Sequence, residues 1–264
     1  MPKVVLVTGA SSGLGQECAR QFAAGGCTVY GTSRTPRPDD GPVTMITLDV
    51  DDAASCEAGV QRVIDEAGRI DVLVNNAGFG VAGPLELTDD EAVHAQLETN
   101  LVGPIRLMRA VLPHMRAAGG GVVVNVGSVA GVMPIPFQSL YAASKAALEV
   151  TSQAVGMEVA PFGIKLAVIE FGDMRTGFTA ARQKVAVGPG DAYADRYGAS
   201  VARMEHDEQC GPVPQGAAAL VVRTALSARP KPVIVYGAGY KPLVALRRVL
   251  PIRLTNWIIG KLYG

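Results

Sequence analysis

The chain contains 264 residues, of which 48% are hydrophobic, and its 24 basic residues balance its 24 acidic residues. A chain of this length and composition can form one large domain with a buried core. A balanced charge, without a basic patch and interleaved aromatic residues, provides no field that would attract nucleic acid. Nucleic acid is therefore excluded as an expected partner.

The cysteines and histidines do not have the spacing of a metal site. The four cysteines are widely separated without a Cys-x-x-Cys pair, and the three histidines lack zinc-type spacing. We therefore expect no metal ion, and we expect ordinary free thiols in a reducing compartment. The residues concerned are Cys18, Cys27, Cys56, Cys210, His94, His114 and His206.

The segment that follows Met1-Pro2-Lys3 is apolar over only about five residues. This run is too short for the core of a signal peptide or for a membrane span. We therefore expect a cytoplasmic protein without a transmembrane segment.

Short apolar segments alternate with longer amphipathic segments along the chain. This alternation is typical of parallel strands joined by crossover helices, and the nearly continuous Val, Ile and Leu runs are typical of strands covered on both faces. The prediction is an α/β fold with a doubly wound parallel sheet. Strands are predicted near 3–8, 27–32, 43–48, 71–74, 121–127, 164–170 and 233–236, and helices near 14–24, 52–67, 89–98, 100–117, 139–160 and 215–228.

The first predicted strand leads directly into a glycine-rich turn, which leads into a helix. Glycines allow a sharp turn and a close backbone approach, and the free N–H groups at the start of a helix can bind the pyrophosphate of a dinucleotide. Glycines in this position could also serve only as turn residues. The candidate cofactor-binding residues of the turn are Gly9, Ser11, Ser12, Gly13, Leu14 and Gly15.

The end of the second strand bears on the choice of nicotinamide cofactor. A carboxylate there would accept a hydrogen bond from the ribose 2′-hydroxyl, but this chain has Thr32-Ser33-Arg34. The Arg34 guanidinium can pair with a 2′-phosphate, which favours NADP(H) with Ser33 and Arg34 as binding residues. The alternative is that Arg34 is a solvated loop charge.

Tyr141 and Lys145 lie four residues apart on a predicted helix, and Ser128 lies thirteen residues before Tyr141. Residues four apart share a helix face, so the Lys145 ammonium can favour the Tyr141 phenolate and bring its pKa down from about 10. These three side chains can together protonate or deprotonate an oxygen on a carbon that gains or loses hydride. A Tyr-x-x-x-Lys pair also occurs by chance on amphipathic helices.

In combination, these motifs resemble the classical short-chain dehydrogenase/reductase family from Lys3 to about Gly237. The family pattern is also matched by Asn75-Asn76-Ala77-Gly78 after a strand, by Asp49 and by Asn100. The resemblance implies a single Rossmann-type sheet with helices on both faces. It also implies an NADP(H)-dependent oxidoreductase that interconverts a ketone and a secondary alcohol.

The resemblance implies a role for each catalytic candidate. Tyr141 is the expected general acid and base, and Ser128 is expected to bond to the same substrate oxygen. Lys145 is expected to favour the Tyr141 anion and to hold the nicotinamide ribose. Asn100 is expected to hold a water that connects Lys145 to solvent. The alternatives are a helix N-cap for Asn100 and a cap at the strand end for Ser128.

Further cofactor contacts are implied by the same resemblance. Asp49 is expected to bond to the adenine amino group, with Val50 against the ring, although Asp49 could also cap the next helix. Phe171 replaces a family proline, which predicts a more mobile loop over the nicotinamide. Ser12 stands where NADP-preferring relatives often carry a basic residue, so NAD(H) stays an alternative. The remaining cofactor candidates are Asn76, Ala77, Gly78, Gly172, Met174 and Thr176.

The substrate is expected to be a hydrophobic ketone or secondary alcohol, steroid-like or lipid-like. The long segment of about 173–214 lacks a clear strand signal and is predicted to be a substrate lid. The candidate lining residues outside the lid are mostly apolar, although any of them could instead belong to the core. They are Phe79, Val81, Val129, Met133, Pro134, Ile135 and Phe137.

The predicted domains are a catalytic domain, residues 1–240, and an amphipathic tail, residues 241–264. Charged residues and Pro251 interrupt the tail, so it cannot span a membrane. We expect it to pack on the body or across a subunit interface of a homodimer or homotetramer. Peripheral contact with a membrane surface is the less favoured alternative.

Two other functional classes are weighed. A non-enzymatic NADP(H)-binding sensor or scaffold could retain the same fold, but it would not require all of Asn100, Ser128, Tyr141 and Lys145. An epimerase or dehydratase of the extended relatives would need a longer substrate domain. The expected partner is therefore a small carbonyl or alcohol substrate.

Overall fold

The computed structural model describes residues 2–263, apart from the side chain of Arg248. Its main feature is a seven-stranded parallel sheet of order β3-β2-β1-β4-β6-β7-β9, and a second sheet pairs the short strands β5 and β8. The predicted doubly wound α/β fold is confirmed. The strands are β1 Val4–Val7, β2 Thr28–Ser33, β3 Val43–Thr47, β4 Val72–Asn75, β5 Val81–Ala82, β6 Gly121–Ser128, β7 Ile164–Phe171, β8 Gln183–Lys184 and β9 Val233–Val235.

Helices cover both faces of the large sheet, in agreement with the alternation of the sequence. The α-helices are α1 Gly13–Ala24, α2 Ala53–Ala67, α3 Asp90–Leu97, α4 Gly103–Ala117, α5 Ser139–Val159, α6 Phe178–Ala181, α7 Ala194–Cys210, α8 Pro214–Ala225, α9 Tyr240–Val249 and α10 Ile252–Tyr263.

Successive residues of each central strand enter two different cores. Leu6 and Leu73 pack with α2, α4 and α5, whereas Val5 and Val7 pack with α1 and α8. This follows from strand geometry, because consecutive side chains point to opposite faces of a sheet. The strands are therefore buried on both faces, and the two cores hold the strand ends that carry the candidate site.

The direction of winding reverses at β1, which lies between β2 and β4. From β1 the chain continues outward through β2 to β3, and it then returns to β4 on the other side of β1. Such a switch point leaves a crevice outside the carboxyl ends of the strands, where ligands bind in open α/β sheets. The glycine-rich turn follows β1 at this crevice.

A π-helical turn, Glu98–Val102, joins α3 to α4, where the sequence predicted two separate helices. A wide π turn of this kind re-aims side chains and is frequent at functional sites. The turn buries Thr99 and Asn100. It therefore directs a polar amide towards the interior behind the crevice.

The predicted lid segment, 173–214, contains a long helix that the sequence analysis did not predict. Helix α7 buries Tyr197, Val201 and Met204, which lie at i, i+4 and i+7. These three residues have the spacing of a helix in the sequence, but the many charged residues between them made the helical pattern difficult to recognise. Much of this segment is thus a helix packed on the body, and Tyr197 donates a hydrogen bond to the Ala82 carbonyl at 2.9 Å.

The tail forms two helices, α9 and α10, separated at Pro251. At one end, the Tyr240 hydroxyl donates to the Asp173 carboxylate and accepts from the Asp173 backbone N–H. At the other end, the Tyr263 hydroxyl donates to Asp207 of α7 at 3.0 Å. Helix α9 is therefore bonded to the loop after β7 through Tyr240, just before the tail, and the end of the tail is bonded to α7.

Candidate active site

A single cavity of about 810 Å³ extends along the carboxyl ends of the strands. One end is formed by the glycine turn and the ends of β2 and β3, and the other end by α7 and the tail. Ser128, Tyr141 and Lys145 all line it between these ends. The cavity therefore connects the two halves of the site that the sequence predicted separately.

The glycine turn has the backbone conformation that its residues predicted. Gly9 and Gly13 have φ angles of +63° and +56°, in the left-handed region that favours glycine. A Cβ on Gly15 would overlap with the Gly9 carbonyl and the Asn76 amide. Gly15 is thus a packing position, and it lies outside the cavity wall, which Gly9, Ser11, Ser12, Gly13 and Leu14 line.

The start of α1 fits an anionic group. Ser12 is the N-cap residue, with extended backbone, and in the described part of the chain no side chain caps this end of the helix. The first N–H groups of a helix have no partner within it, and the helix dipole adds positive potential there. Because Ser12 and Gly13 line the cavity, these N–H groups are available to a pyrophosphate.

The Asn76-Ala77-Gly78 segment both joins two strand ends and lines the cavity. The Thr8 hydroxyl accepts hydrogen bonds from the backbone N–H groups of Asn76 and Ala77, both at 2.9 Å. Asn76 Nδ2 donates to the Thr8 carbonyl at 2.9 Å. The segment therefore braces the ends of β1 and β4, and its three residues also line the cavity.

At the β2 end, the cavity is bordered by basic residues. Ser33 and Arg34 line it as predicted, and so does Arg37, which the sequence analysis did not select. Arg37 lies in an irregular segment between β2 and β3, where no period indicates which side chains face inward. Two guanidinium groups therefore border this end.

At the β3 end, Val50 lines the cavity but Asp49 does not. Asp49 Oδ1 accepts a hydrogen bond from the Asp51 backbone N–H at 3.1 Å. Asp51 is the carboxylate in the wall, and its Oδ2 accepts from the Thr99 hydroxyl at 2.9 Å. Burial raises the pKa of Asp51, with the Thr99 hydrogen bond opposing. The local turn thus places Asp51 in the cavity wall beside Val50, and the predicted adenine contact of Asp49 stays a prediction.

The Tyr141 side chain is half-buried and lines the cavity between its two ends. Burial raises the pKa of its phenol to about 12, and a hydrogen bond from Ser128 opposes this rise. The helix spacing predicted a lowered pKa for Tyr141, but the pKa is raised. The phenolate loses more stabilisation through loss of hydration than it gains from the Ser128 hydrogen bond. The Tyr141 phenol is therefore neutral at ordinary pH.

Lys145 is close to Tyr141, as the helix spacing predicted. Its Nζ lies 5.8 Å from the centre of the Tyr141 ring and donates to the Val126 carbonyl at 2.8 Å. Burial lowers the pKa of Lys145 to about 8. Its charge is therefore sensitive to pH near neutrality, unlike that of an exposed lysine.

Asn100 lies behind the cavity wall and not in it. Its Oδ1 accepts from the Phe79 N–H at 3.1 Å, and its Nδ2 donates to the Phe79 carbonyl at 2.9 Å. A Cβ on Gly78 would come within 3.0 Å of Asn100 Oδ1 and 3.8 Å of Lys145 Nζ. Asn100 is therefore inside the π turn, not at a helix N-cap, and only Gly78 stands between it and Lys145.

The Ser128 hydroxyl interacts both with Tyr141 and with the backbone of Ala130. It is the last residue of β6, and its hydroxyl accepts from the Ala130 N–H at 3.1 Å. The strand-end cap that was weighed as an alternative is thus present, together with the hydrogen bond to Tyr141. The hydroxyl can fill both roles because it has one donor and two acceptor positions.

The loop after β7 closes the middle of the cavity with Gly172, Met174 and Thr176, all of which line it. A Cβ on Gly172 would overlap with the Tyr240 ring. Phe171, where the family has proline, is buried and packs on Tyr236 with ring centres 5.5 Å apart. The loop is thus constrained by aromatic packing and by the Tyr240–Asp173 bonds.

The far end of the cavity is largely apolar. Of the residues predicted there, Phe79, Val129, Met133 and Ile135 line it, whereas Val81, Pro134 and Phe137 do not. Val81 is buried in β5, and Phe137 packs against Tyr193 and Tyr197 of the lid. Residues of the 173–214 segment and of the tail, which was also considered as a part of the pocket, complete the apolar wall: Phe178, Met204, Leu243, Leu246, Leu250, Ile258, Ile259 and Leu262.

A buried ion pair next to Tyr141 was also missed. The Arg182 side chain has no exposed surface and pairs with Glu208, which lines the cavity. The Thr179 hydroxyl donates to Glu208 Oε2 at 2.7 Å. The Glu208 charge raises the pKa of Tyr141 and the Arg182 charge lowers it. Partners that lie 26 residues apart on a lid give no local sequence signal.

Comparison with known proteins decides the family. A family model described as short chain dehydrogenase matches residues 3–186. The 3-ketodihydrosphingosine reductase of Bacteroides thetaiotaomicron is 44% identical over 220 residues, which cover 82% of each protein. The chain belongs to the short-chain dehydrogenase family. The resemblance inferred from the sequence motifs is thereby confirmed.

Two further relatives agree with this assignment. A short-chain dehydrogenase from Streptomyces avermitilis has the same fold, with a TM-score of 0.84, 35% identity and coverage of 98% and 97% of this chain and of that chain. Human 17-beta-hydroxysteroid dehydrogenase type 1 is 39% identical over 191 residues, 66% of this chain and 58% of that protein. As a short-chain dehydrogenase, the protein is an oxidoreductase, as predicted.

The helices of this short-chain dehydrogenase were also compared with the length of a membrane span. Within residues 2–263, none is both long enough and apolar enough to cross a bilayer. The expected cytoplasmic location stays a prediction.

Proposed function

We propose that this short-chain dehydrogenase uses NADP(H) to reduce a hydrophobic, lipid-like ketone to a secondary alcohol, with Tyr141 as the proton donor. One observation carries the proposal: a single cavity runs from the uncapped start of α1, past Tyr141, to an apolar wall in the tail. Such a cavity suits a dinucleotide at one end and an apolar substrate at the other.

The preference for NADP(H) is supported by the charges at the β2 end. Arg34 and Arg37 line the cavity there, and the end of β2, Thr32-Ser33, has no carboxylate that would bind the 2′-hydroxyl of NAD(H). Guanidinium groups bind phosphate through paired, charge-assisted hydrogen bonds. Arg34 and Arg37 are therefore the proposed ligands of the 2′-phosphate.

The reduction needs a hydride, which the bound nicotinamide would supply to the carbonyl carbon. The two electrons of the carbonyl π bond move to oxygen, which must then take up a proton. Tyr141 holds that proton, because its pKa of about 12 keeps the phenol neutral. Ser128 would donate a hydrogen bond to the same oxygen, and the Lys145 ammonium would stabilise the phenolate that remains.

The substrate class is supported by the apolar end of the cavity and by the relatives. One relative is named for 3-ketodihydrosphingosine and the other for 17-beta-hydroxysteroids. Six of the apolar residues at this end belong to the tail, two helices that can flank a chain or a flat ring system: Leu243, Leu246, Leu250, Ile258, Ile259 and Leu262. We favour the chain, because the 3-ketodihydrosphingosine reductase is matched over 82% of its length.

A panel of ketones tests the proposal directly. Oxidation of NADPH and of NADH would be followed with 3-ketodihydrosphingosine, a 17-ketosteroid and a small water-soluble ketone. We expect the highest kcat/KM for the lipid ketone with NADPH. Tight NADPH binding without turnover of any ketone would favour the sensor or scaffold alternative, and faster turnover with NADH would contradict the NADP(H) assignment.

We also propose that the protein is a homodimer or homotetramer. Val150 and Met157 are 68% and 75% exposed and lie seven residues apart on one face of α5. Large apolar side chains on one helix face favour an interface between copies. Analytical ultracentrifugation should show a dimer or larger, and Val150→Asp should shift it towards monomer. A monomeric wild-type protein would refute this.

A further inference from the structure

The charges of the chain are segregated, although they sum to zero. Residues 209–264 contain eight basic residues and no acidic residue, so that residues 1–208 have a net charge of −8. Five of the eight lie in the tail. The eight are Arg223, Arg229, Lys231, Lys241, Arg247, Arg248, Arg253 and Lys261.

The inner faces of the two tail helices line the cavity. In α9, the lining residues are Tyr240, Leu243, Leu246 and Arg247, and Leu250 follows directly after the helix. In α10, the lining residues recur at helical spacing. They are Thr255, Ile258, Ile259, Leu262 and Tyr263. The inner faces are therefore fully accounted for by the cavity.

The outer faces are apolar and cationic. Val249, Leu254 and Trp257 do not line the cavity and are 77%, 44% and 62% exposed. Lys241, Arg253 and Lys261 are exposed on the same two helices. Scattered exposed apolar residues are ordinary, but a large aliphatic and aromatic group beside several cations is typical of helices that lie at a membrane surface.

Charge decides between the occupants that could cover this surface. A second copy would place the same cations opposite one another across a two-fold axis, which costs binding energy. An anionic bilayer supplies the opposite charge, and each lysine or arginine near such a surface adds about 1 kcal/mol to binding. Tryptophan is also enriched at the level of the lipid headgroups.

We propose that the outer faces of α9 and α10 are a docking surface for an anionic lipid bilayer. Trp257, Val249 and Leu254 lie in the boundary between headgroups and acyl chains, and the cations face the headgroups. Because the inner faces of the same helices line the cavity, docking brings the apolar end of the cavity to the bilayer. The entry of a lipid ketone by this route rests on the proposed function, but the docking does not.

The fluorescence of the native protein tests the docking, since Trp257 is the only tryptophan of the chain. The full chain is mixed with vesicles of phosphatidylcholine alone, or of phosphatidylcholine with phosphatidylglycerol, and sedimented. We expect a blue shift of the emission and co-sedimentation with the anionic vesicles, both reduced by salt. No shift and no co-sedimentation with anionic vesicles would overturn the proposal.

A charge-reversal variant separates docking from other effects. Lys241→Glu, Arg253→Glu and Lys261→Glu together should weaken vesicle binding by about a hundredfold or more. The matched control is Lys3→Glu, Arg109→Glu and Lys165→Glu, which changes exposed cations outside the tail equally in number. Equal loss of binding in both variants would show only a net-charge effect and would overturn the proposal.

Activity and assembly readouts complete the test. The tail variant should reduce a small water-soluble ketone at the wild-type rate, and its kcat/KM should fall only for lipid ketone presented in anionic vesicles. A blue shift that appears with rising protein concentration and without vesicles would assign the surface to a second copy instead. Vesicle binding is measured without substrate. The docking test therefore gives a clear result even if the proposed function is wrong.

Discussion

The two ends of the cavity are built by different means. At the dinucleotide end, backbone groups and glycines next to β1 and β4 form the wall, and Thr8 and Asn76 hold them through hydrogen bonds at 2.9 Å. At the substrate end, long-range side-chain pairs hold the wall, among them Arg182 with Glu208 and Tyr240 with Asp173. The first end is an extension of the sheet, whereas the second depends on contacts between lid and tail.

This difference has a consequence for how the two ends respond to change. A wall made of sheet and glycine turn is destabilised when an atom is added to it, because its tightly packed backbone has no room to move. A wall made of paired side chains fails when a partner is removed, because a buried group is left unsatisfied. The predictions below use this distinction.

The largest effect is expected at the substrate end, for Glu208→Ala. This change leaves the fully buried Arg182 without its partner, and breaking a buried pair costs about 3–5 kcal/mol. Urea unfolding measures the loss. The control is Glu205→Ala, which removes the partner of the half-exposed Lys184 and should cost about 1 kcal/mol or less. Equal losses would contradict the distinction between the two pairs.

At the dinucleotide end, Arg34→Asp should change cofactor choice and not stability. Loss of a charge-assisted contact costs roughly 1.5–3 kcal/mol, so NADPH affinity should fall about tenfold or more relative to NADH. Titration of both cofactors measures the ratio. An unchanged ratio would mean that Arg34 is a solvated charge, and Arg37→Asp would then identify the ligand.

Adding one carbon at the dinucleotide end should also be costly. In Gly15→Ala, the new Cβ meets the Gly9 carbonyl and the Asn76 amide, and such overpacking costs about 1–3 kcal/mol. Gly198→Ala in α7 is the control, because a Cβ there meets nothing within 4 Å. The control should stabilise the protein by up to about 1 kcal/mol. Thermal unfolding of both variants would show opposite signs; the same sign would refute the contrast.

The smallest expected effect is a pH dependence of turnover, which arises from Tyr141 and Lys145 between the two ends of the cavity. Burial lowers the pKa of Lys145 to about 8, while the pKa of Tyr141 is about 12. As pH rises through about 8, the ammonium that stabilises the Tyr141 phenolate is lost, so ketone reduction by NADPH should slow. A profile of kcat from pH 6 to 10 should reach half its maximum near pH 8. A flat profile up to pH 10 would exclude this role of Lys145.

The cavity wall next to β1 and β2 could be predicted from the sequence because it follows local rules. Glycines after β1, the Thr32-Ser33-Arg34 segment and the strand runs are readable within a few residues of one another. The exception is instructive: Val50 lines the cavity, but Asp51 takes the place in the wall that was expected for Asp49. The short turn from Asp49 to Asp51 determines which carboxylate faces the cavity, and no periodic pattern of the sequence predicts this.

The substrate end was predicted poorly for the opposite reason. The ion pair of Arg182 and Glu208 and the bond of Tyr263 with Asp207 join residues 26 and 56 positions apart. Strands β5 and β8 have two residues each and exist only because the lid returns to the body. Tertiary contacts of this kind leave no local pattern, although the stripe of Tyr197, Val201 and Met204 could have revealed α7.

The central claim is that Tyr141, between the two ends, gives its proton to the substrate oxygen. Single-turnover reduction of a ketone by NADPH, with deuterated NADPH to confirm that hydride transfer limits the rate, tests it most directly. Tyr141→Phe should slow this step by about a hundredfold or more with NADPH affinity unchanged, whereas the buried Tyr30→Phe, outside the cavity, should not. A Tyr141→Phe protein that transfers hydride at the wild-type rate would contradict the claim.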